Sequence, residues 1–113
     1  LASSTNGLSG GSALSGPAYA VAKAGLINLA RYLAKEWSSE GIRVNCLAPG
    51  PIKTPMVTGR FSPDVQKSLE ASVPLGRLGE PEHVAHAIDY LTSPAAAFVT
   101  GTVMNISGGV VLD

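Results

Sequence analysis

Tyr19 and Lys23 stand four residues apart in Tyr19-Ala-Val-Ala-Lys23, a spacing that on a helix sets a phenol and an ammonium on one face. A nearby cation favours the phenolate, so a tyrosine whose free pKa is about 10 is drawn toward proton exchange at working pH. Such a pair can act as general acid and base. Taken alone, the pairing recurs by chance and a plain surface contact explains it better. The flanking sequence reverses that balance.

The pair needs a helix, and the sequence supplies one. Residues 1–16 (LASSTNGLSGGSALSG) are rich in Ser and Gly and lack apolar periodicity, which predicts a loop. Pro17 then suits a first helical turn, and Ala22, Leu26, Leu29, Leu33 and Trp37 follow at helical spacing until Gly41. A helix over 17–38 is expected. Ala18, Ala22 and Gly25 are small and nearly aligned, so another backbone could approach there.

The run Ile42-Arg-Val-Asn-Cys-Leu-Ala48 lies between Gly41 and Pro49 and is short enough to read as a strand buried on both faces. A long helix followed at once by such a strand is half of a βαβ unit with parallel strands. The segment Pro49-Gly-Pro-Ile-Lys-Thr-Pro55 leaves its carboxyl end, where open α/β sheets bind ligands. Its backbone amides and the Thr54 hydroxyl could hold a polar group, and a stiff connection would explain the three prolines equally well. Ser62 as cap, Pro63, Val65, Leu69 and Val73 predict a short helix within a lid-like segment, residues 56–73. Glu80-Pro81 opens another helix, with Val84, Ile88 and Leu91 on one face and Pro94 at its end. Thr102-Val-Met-Asn-Ile106 reads as a last buried strand.

Composition narrows the classes of function. In 113 residues, 45% are apolar, and eight basic residues balance eight acidic ones with no run of either sign. Neither a nucleic-acid nor a membrane partner is expected. The single Cys46 excludes an internal disulfide and is expected to be an inert buried thiol, which fits the cytoplasm. His83 and His86 lie three apart, but two ligands without a carboxylate or thiolate are too few for a metal, and solvated histidines are expected.

Tyr19-x-x-x-Lys23, Ile42-Arg-Val-Asn45, Pro49-Gly50 with Thr54 and Met56, Pro74-Leu-Gly-Arg-Leu-Gly-Glu-Pro81, and Val99-Thr-Gly101 before Gly108-Gly109 occur here in one order. Together they resemble the short-chain dehydrogenase/reductase family across essentially the whole chain. The resemblance implies an α/β fold, the carboxyl-terminal half of a Rossmann-type doubly wound parallel sheet. It also implies an NAD(P)-dependent oxidoreductase acting on a small alcohol or carbonyl substrate, such as a 3-oxoacyl thioester or a sugar. Tyr19 becomes the acid/base, and Lys23 lowers its pKa and binds the nicotinamide ribose. Ser4, in Ser3-Ser4-Thr5-Asn6-Gly7, matches the catalytic serine that bonds the reacting oxygen. It precedes Tyr19 by fifteen residues, a longer spacing than the family usually shows, so the Gly/Ser loop must bulge. Ser12 is a lesser candidate.

By the same resemblance, Pro49, Gly50, Ile52 and Thr54 belong to the segment over the nicotinamide, and residues 56–73 to the variable substrate lid. Ser107 stands where an aspartate commonly precedes the paired glycines, which affects a local loop contact. The Gly-rich dinucleotide fingerprint and the residue that selects NAD or NADP have no counterpart in these 113 residues. Since the chain begins at Leu1 in a Ser/Gly-rich segment, it is expected to be the later part of a longer enzyme and inactive alone, or else a non-catalytic remnant that only oligomerises. Intact relatives form dimers or tetramers through the helix over 17–38 and through the last helix and strand. A homo-oligomer, or a complex with the missing amino-terminal half, is expected.

Overall fold

The computed structural model describes residues 1–113. Cys46–Pro49 (β1) and Val103–Ile106 (β2) pair in parallel, with Cys46 opposite Val103 and Pro49 opposite Ile106. Residues 1–3 run in the same direction along the other edge of β1, Ala2 opposite Leu47. Hydrogen bonds of 2.8 Å from Leu47 N–H to Leu1 O and from Ser3 N–H to Leu47 O hold them there. Each connection carries helices: Asn6–Ser9 (α1) and Pro17–Trp37 (α2) precede β1, while Pro55–Thr58 (α3), Pro63–Ser72 (α4) and Pro81–Thr92 (α5) precede β2. Parallel neighbours need such crossovers, so this is an α/β arrangement with β1 in the middle.

The opening is more ordered than a loop over 1–16. Besides the extended residues 1–3, it forms α1, which ends at Gly10 in a left-handed conformation (φ 85°). Gly7 explains why this turn docks: a Cβ there would lie 2.7 Å from the Lys23 carbonyl carbon and 2.8 Å from Ala24 N. Glycine lets α1 rest directly on the backbone of α2. Local composition registers it only as a breaker. Gly10, Gly11 and Gly16 all take positive φ between α1 and α2.

Helix α2 begins at Pro17 as expected, but its buried face is not the expected one. Ala20, Ile27, Ala30 and Ala34 are buried, whereas Ala22, Leu29 and Trp37 are exposed and Leu26 and Leu33 half-buried. The small residues win the interior because α2 lies close against α1 and β1. Ile27, Ala30 and Cys46 form the centre of the core, with Leu8, Val44 and Val103 packed on it. Cys46 is a buried free thiol, as expected.

The expected strand over 42–48 pairs regularly only from Cys46. Opposite residues 42–45 the chain bends at Gly101 (φ 74°), so pairing there reduces to Gly101 N–H donating to Val44 O at 2.7 Å, and polar side chains supplement it. Arg43 Nη1 donates to Leu91 O (2.7 Å) and Val99 O (3.2 Å). Asn45 Nδ2 donates to Val99 O at 3.0 Å, and Asn45 Oδ1 accepts from Thr102 N–H at 3.1 Å. Burial on both faces therefore holds for Cys46, Leu47 and Ala48, while Ile42 is exposed. Likewise β2 is half-buried along its length rather than buried. Only 16 residues are buried in all, and the radius of gyration is 14.8 Å, against about 13 Å for a compact chain of this length.

Beyond β1, the Ser62 hydroxyl caps α4 by accepting from Val65 N–H at 3.3 Å, with Pro63 in the first turn as expected. The added helix α3 was not signalled by periodicity, being one turn long. Gln66 ties the two together by donating to Thr58 O and Phe61 O. No residue of α3 or α4 is buried. No helix is long and apolar enough to cross a membrane.

Candidate active site

The carboxyl ends of the three extended segments converge. Thr5 N–H donates to Pro49 O at 3.0 Å, and Gly50 N–H donates to Ile106 O at 3.0 Å. Gly50 lies so close to the end of β2 that a Cβ there would stand 2.9 Å from Ser107 Cα. Ser4, the loop after Pro49, and Ser107 therefore share one edge of the sheet. This is where an open α/β sheet holds ligands.

Helix α2 carries Tyr19 and Lys23 and is tied to the first extended segment through Lys23. The Lys23 ammonium lies 5.5 Å from the Tyr19 ring centroid and donates one hydrogen bond, 3.1 Å, to Ala2 O. An ammonium has three donors, so two remain for a ligand. Both side chains are half-buried, and the Tyr19 hydroxyl has no partner within the chain. Ser4 is buried, and its Oγ accepts from Asn6 N–H at 3.2 Å. Accepting that bond leaves the Ser4 O–H proton free to donate elsewhere. Ser12, the lesser candidate, is exposed and its Oγ accepts from Leu14 N–H inside the Gly/Ser loop.

The proline loop offers fewer amides than its length implies. Pro49, Pro51 and Pro55 have none, Gly50 N–H is committed to Ile106 O, and Lys53 N–H donates to Gly79 O at 2.9 Å. The Ile52 and Thr54 amides and the Thr54 hydroxyl have no partner within the chain. A ligand over this loop would meet those groups, with Gly50 shaping the approach rather than binding.

Several supports had no sequence signal. Ser3 Oγ donates to Lys23 O at 2.7 Å, fixing α2 to the first extended segment just where Lys23 turns toward Ala2. Lys53 Nζ donates to Glu80 Oε1 at 2.9 Å; this one hydrogen bond lowers the Glu80 carboxyl below its ordinary range and raises the Lys53 ammonium above its own. His83 is not simply solvated as expected: its Nδ1 accepts from Glu80 N–H at 2.8 Å, while His86 is exposed. Ser107 Oγ donates to Val111 O at 3.3 Å, the local contact made where aspartate is commoner. The first three join residues distant in sequence or depend on a helix start, so spacing alone could not reveal them.

Comparison with known proteins places the chain. The profile of the family described as Enoyl-(Acyl carrier protein) reductase matches residues 2–111. An uncharacterized short-chain type dehydrogenase/reductase of Sinorhizobium fredii is 37% identical over 110 residues, covering 97% of this chain and 44% of its own length. The cis-4-hydroxycyclohexanecarboxylate dehydrogenase of Sinomonas cyclohexanicum is 47% identical over 91 residues, 80% of this chain and 36% of that protein. The crystal structure of a 3-oxoacyl-[acyl-carrier protein] reductase from Brucella melitensis superposes with a TM-score of 0.88 at 36% identity, covering 99% of this chain and 41% of the other. The chain thus spans less than half the length of the relatives it matches. These matches and the parallel sheet with its helical crossovers agree: the chain belongs to the short-chain dehydrogenase/reductase family and carries part of its Rossmann-type fold.

Proposed function

We propose that residues 1–113 are the carboxyl-terminal catalytic half of an NAD(P)-dependent oxidoreductase that interconverts a secondary alcohol and a ketone. The observation that supports this reading is that Lys23, 5.5 Å from the Tyr19 ring, reaches back to the first extended segment, whose end carries a buried Ser4 with its proton free. A nicotinamide dinucleotide suits the groups left open there: two Lys23 donors for ribose hydroxyls, and the Ile52 and Thr54 amides with the Thr54 hydroxyl for a carboxamide. When bound, it supplies or takes up the hydride.

The chain's own residues handle the proton and the alignment. Tyr19 gives its hydroxyl proton to the carbonyl oxygen in reduction and takes the alcohol proton in oxidation. Lys23 favours the phenolate through its charge, and Ser4 donates a hydrogen bond to the reacting oxygen. Residues 56–73 cover the substrate, with Met56, Val57, Phe61 and Val65 inclining the lid toward an apolar one. NAD and NADP are both compatible with these groups.

A non-catalytic remnant is the competing reading, favoured by the small core. Association is proposed under either reading. The outer face of α2 exposes Val21, Leu29 and Tyr32, which suits a homodimer or tetramer or union with an amino-terminal half. The cytoplasm is the proposed location, resting on the lone buried thiol. Intact mass of the natural product separates whole enzyme from remnant. In the complete polypeptide, Tyr19→Phe lowers turnover by about 10²- to 10⁴-fold with little change in substrate binding; near-normal turnover refutes the assignment.

A further inference from the structure

The segment between Thr54 and Leu78 is held to the body at two places: Leu75 N–H donates to Gly108 O at 3.1 Å, and its two ends meet beside Pro51 and Gly79. Gly79 N–H donates to Pro51 O and Lys53 N–H donates to Gly79 O, each at 2.9 Å, which pairs Ile52 with Gly79. The Lys53 ammonium spans the same junction to Glu80. Glu80 is in turn the first residue of the α5 start, and its backbone N–H ends on His83 Nδ1. A Cβ on Gly79 would collide with Ile52 Cδ1, the residue paired with it, and would merely touch that nitrogen, at 3.7 Å. One imidazole thus completes a chain of contacts that runs back to residues 52–54, whose open amides face the proposed nicotinamide site.

We propose that His83 is a positioning residue: it fastens residues 52–54 and the root of the lid to α5 while its ring is neutral, and releases them on protonation. This rests on reading that loop as the dinucleotide site. At the third position of a helix, Glu or Gln usually accepts the capping N–H. Imidazole accepts at Nδ1 only when its proton sits on Nε2; imidazolium has two donors and no acceptor. Protonation at Nδ1 and the bond from Glu80 N–H therefore exclude each other.

The charges around the ring set the balance. Arg77 lines the same cavity of about 210 Å³ as His83, and with Lys53 and the amino-terminal end of α5 it opposes a second cation. The Glu80 carboxylate attracts one, but Lys53 already engages it. Glu82 and His86, on α5 itself, are exposed and act through solvent. Loss of the acceptor leaves the Glu80 amide unpaired and frees the junction that Gly79 and Lys53 share.

The test uses the complete polypeptide with His83 intact, His83→Gln, which keeps an acceptor that does not titrate, and His83→Ala, which has none. Two quantities are read at pH 7.5 and 5.5: tryptic cleavage after the exposed lid residues Arg60 and Lys67, and the dissociation constant for NAD and NADP. Dividing each cleavage rate by that of His83→Gln removes the protease's own pH dependence. Only the neutral ring can accept the Glu80 N–H, so the ratio for the natural protein should rise severalfold from pH 7.5 to pH 5.5. Dinucleotide affinity should weaken in parallel. His83→Ala should be cleaved faster than His83→Gln at both pH values, in a constant ratio. A pH-independent ratio for the natural protein, or slow cleavage of His83→Ala, overturns the fastening. Binding of dinucleotide with an unmoved lid overturns it while leaving the proposed function standing. A lid that responds in a protein that binds no dinucleotide overturns the functional reading and the positioning role, and retains only the fastening of the lid.

Discussion

Gly7→Ala probes the contact that brings the serine segment to the tyrosine helix. The new Cβ would stand 2.7 Å from Lys23 C, 2.8 Å from Ala24 N and 2.9 Å from Lys23 O, against about 3.5–4.0 Å for a relaxed carbon contact. These are backbone atoms of a 21-residue helix and cannot swing aside, so α1 must lift by about 0.7–1 Å. Such overpacking costs about 1–3 kcal/mol, and alanine's better helix propensity returns up to about 1 kcal/mol. The net loss is about 1–2 kcal/mol by the same two terms. Because α1 carries the amide that bonds Ser4 Oγ, the lift also moves the serine, and a displacement of about 1 Å can cost on the order of 10²-fold in rate. Urea unfolding and turnover, measured together on the complete polypeptide, should show activity falling further than folded fraction. Gly25→Ala is the control: nothing lies within 4 Å of its Cβ, so it should stabilise by up to about 1 kcal/mol. A Gly7→Ala protein with unchanged midpoint and turnover would refute the claim that this crossing positions Ser4.

Arg43→Ala removes the cation from the last carbonyls of α5 and from Val99 O, a loss of about 1.5–3 kcal/mol for charged hydrogen bonds; Arg43→Lys should recover only part, as read by thermal unfolding. The Lys53–Glu80 pair has a defined pH window. Glu80 is lowered from 4.5 and Lys53 raised from 10.5, so the pair contributes between those values and is lost as pH falls through the Glu80 value or rises through the Lys53 value. The difference in stability between Lys53→Met and the natural protein should therefore vanish at both extremes, and a difference that is constant across pH would remove the ion pair from the account. Leu29→Asp, on the exposed face of α2, should lower the assembled mass seen by light scattering without changing the helix content; an unchanged mass would mean that this face is not buried between chains.

Much of this architecture is local enough to be written in the sequence. Pro17 and Gly41 bracket α2, Ser62-Pro63 starts α4 and Glu80-Pro81 starts α5, because helix ends depend on capping groups and on proline's missing N–H. The ordered motifs from Tyr19 to Gly109 likewise disclosed the family.

Other features were decided only when distant segments met. Periodicity named Ala22, Leu29 and Trp37 as a stripe, but the helix turns Ala20, Ile27, Ala30 and Ala34 inward, because close approach of α1 and β1 favours small side chains over large ones. Composition made residues 1–16 a loop, yet Leu47 supplies the backbone partner that straightens residues 1–3. The strand expected from Ile42 starts at Cys46, since residues 99–101 turn, leaving one backbone bond from Gly101 to Val44 and offering the Val99 carbonyl to Arg43 and Asn45. Two histidines three apart looked like solvated neighbours, and the start of α5 gave one of them an amide to hold. A sequence fixes which groups a chain carries and how its helices begin and end. Which face is buried, and which polar group finds which partner, depends on contacts between residues far apart along the chain.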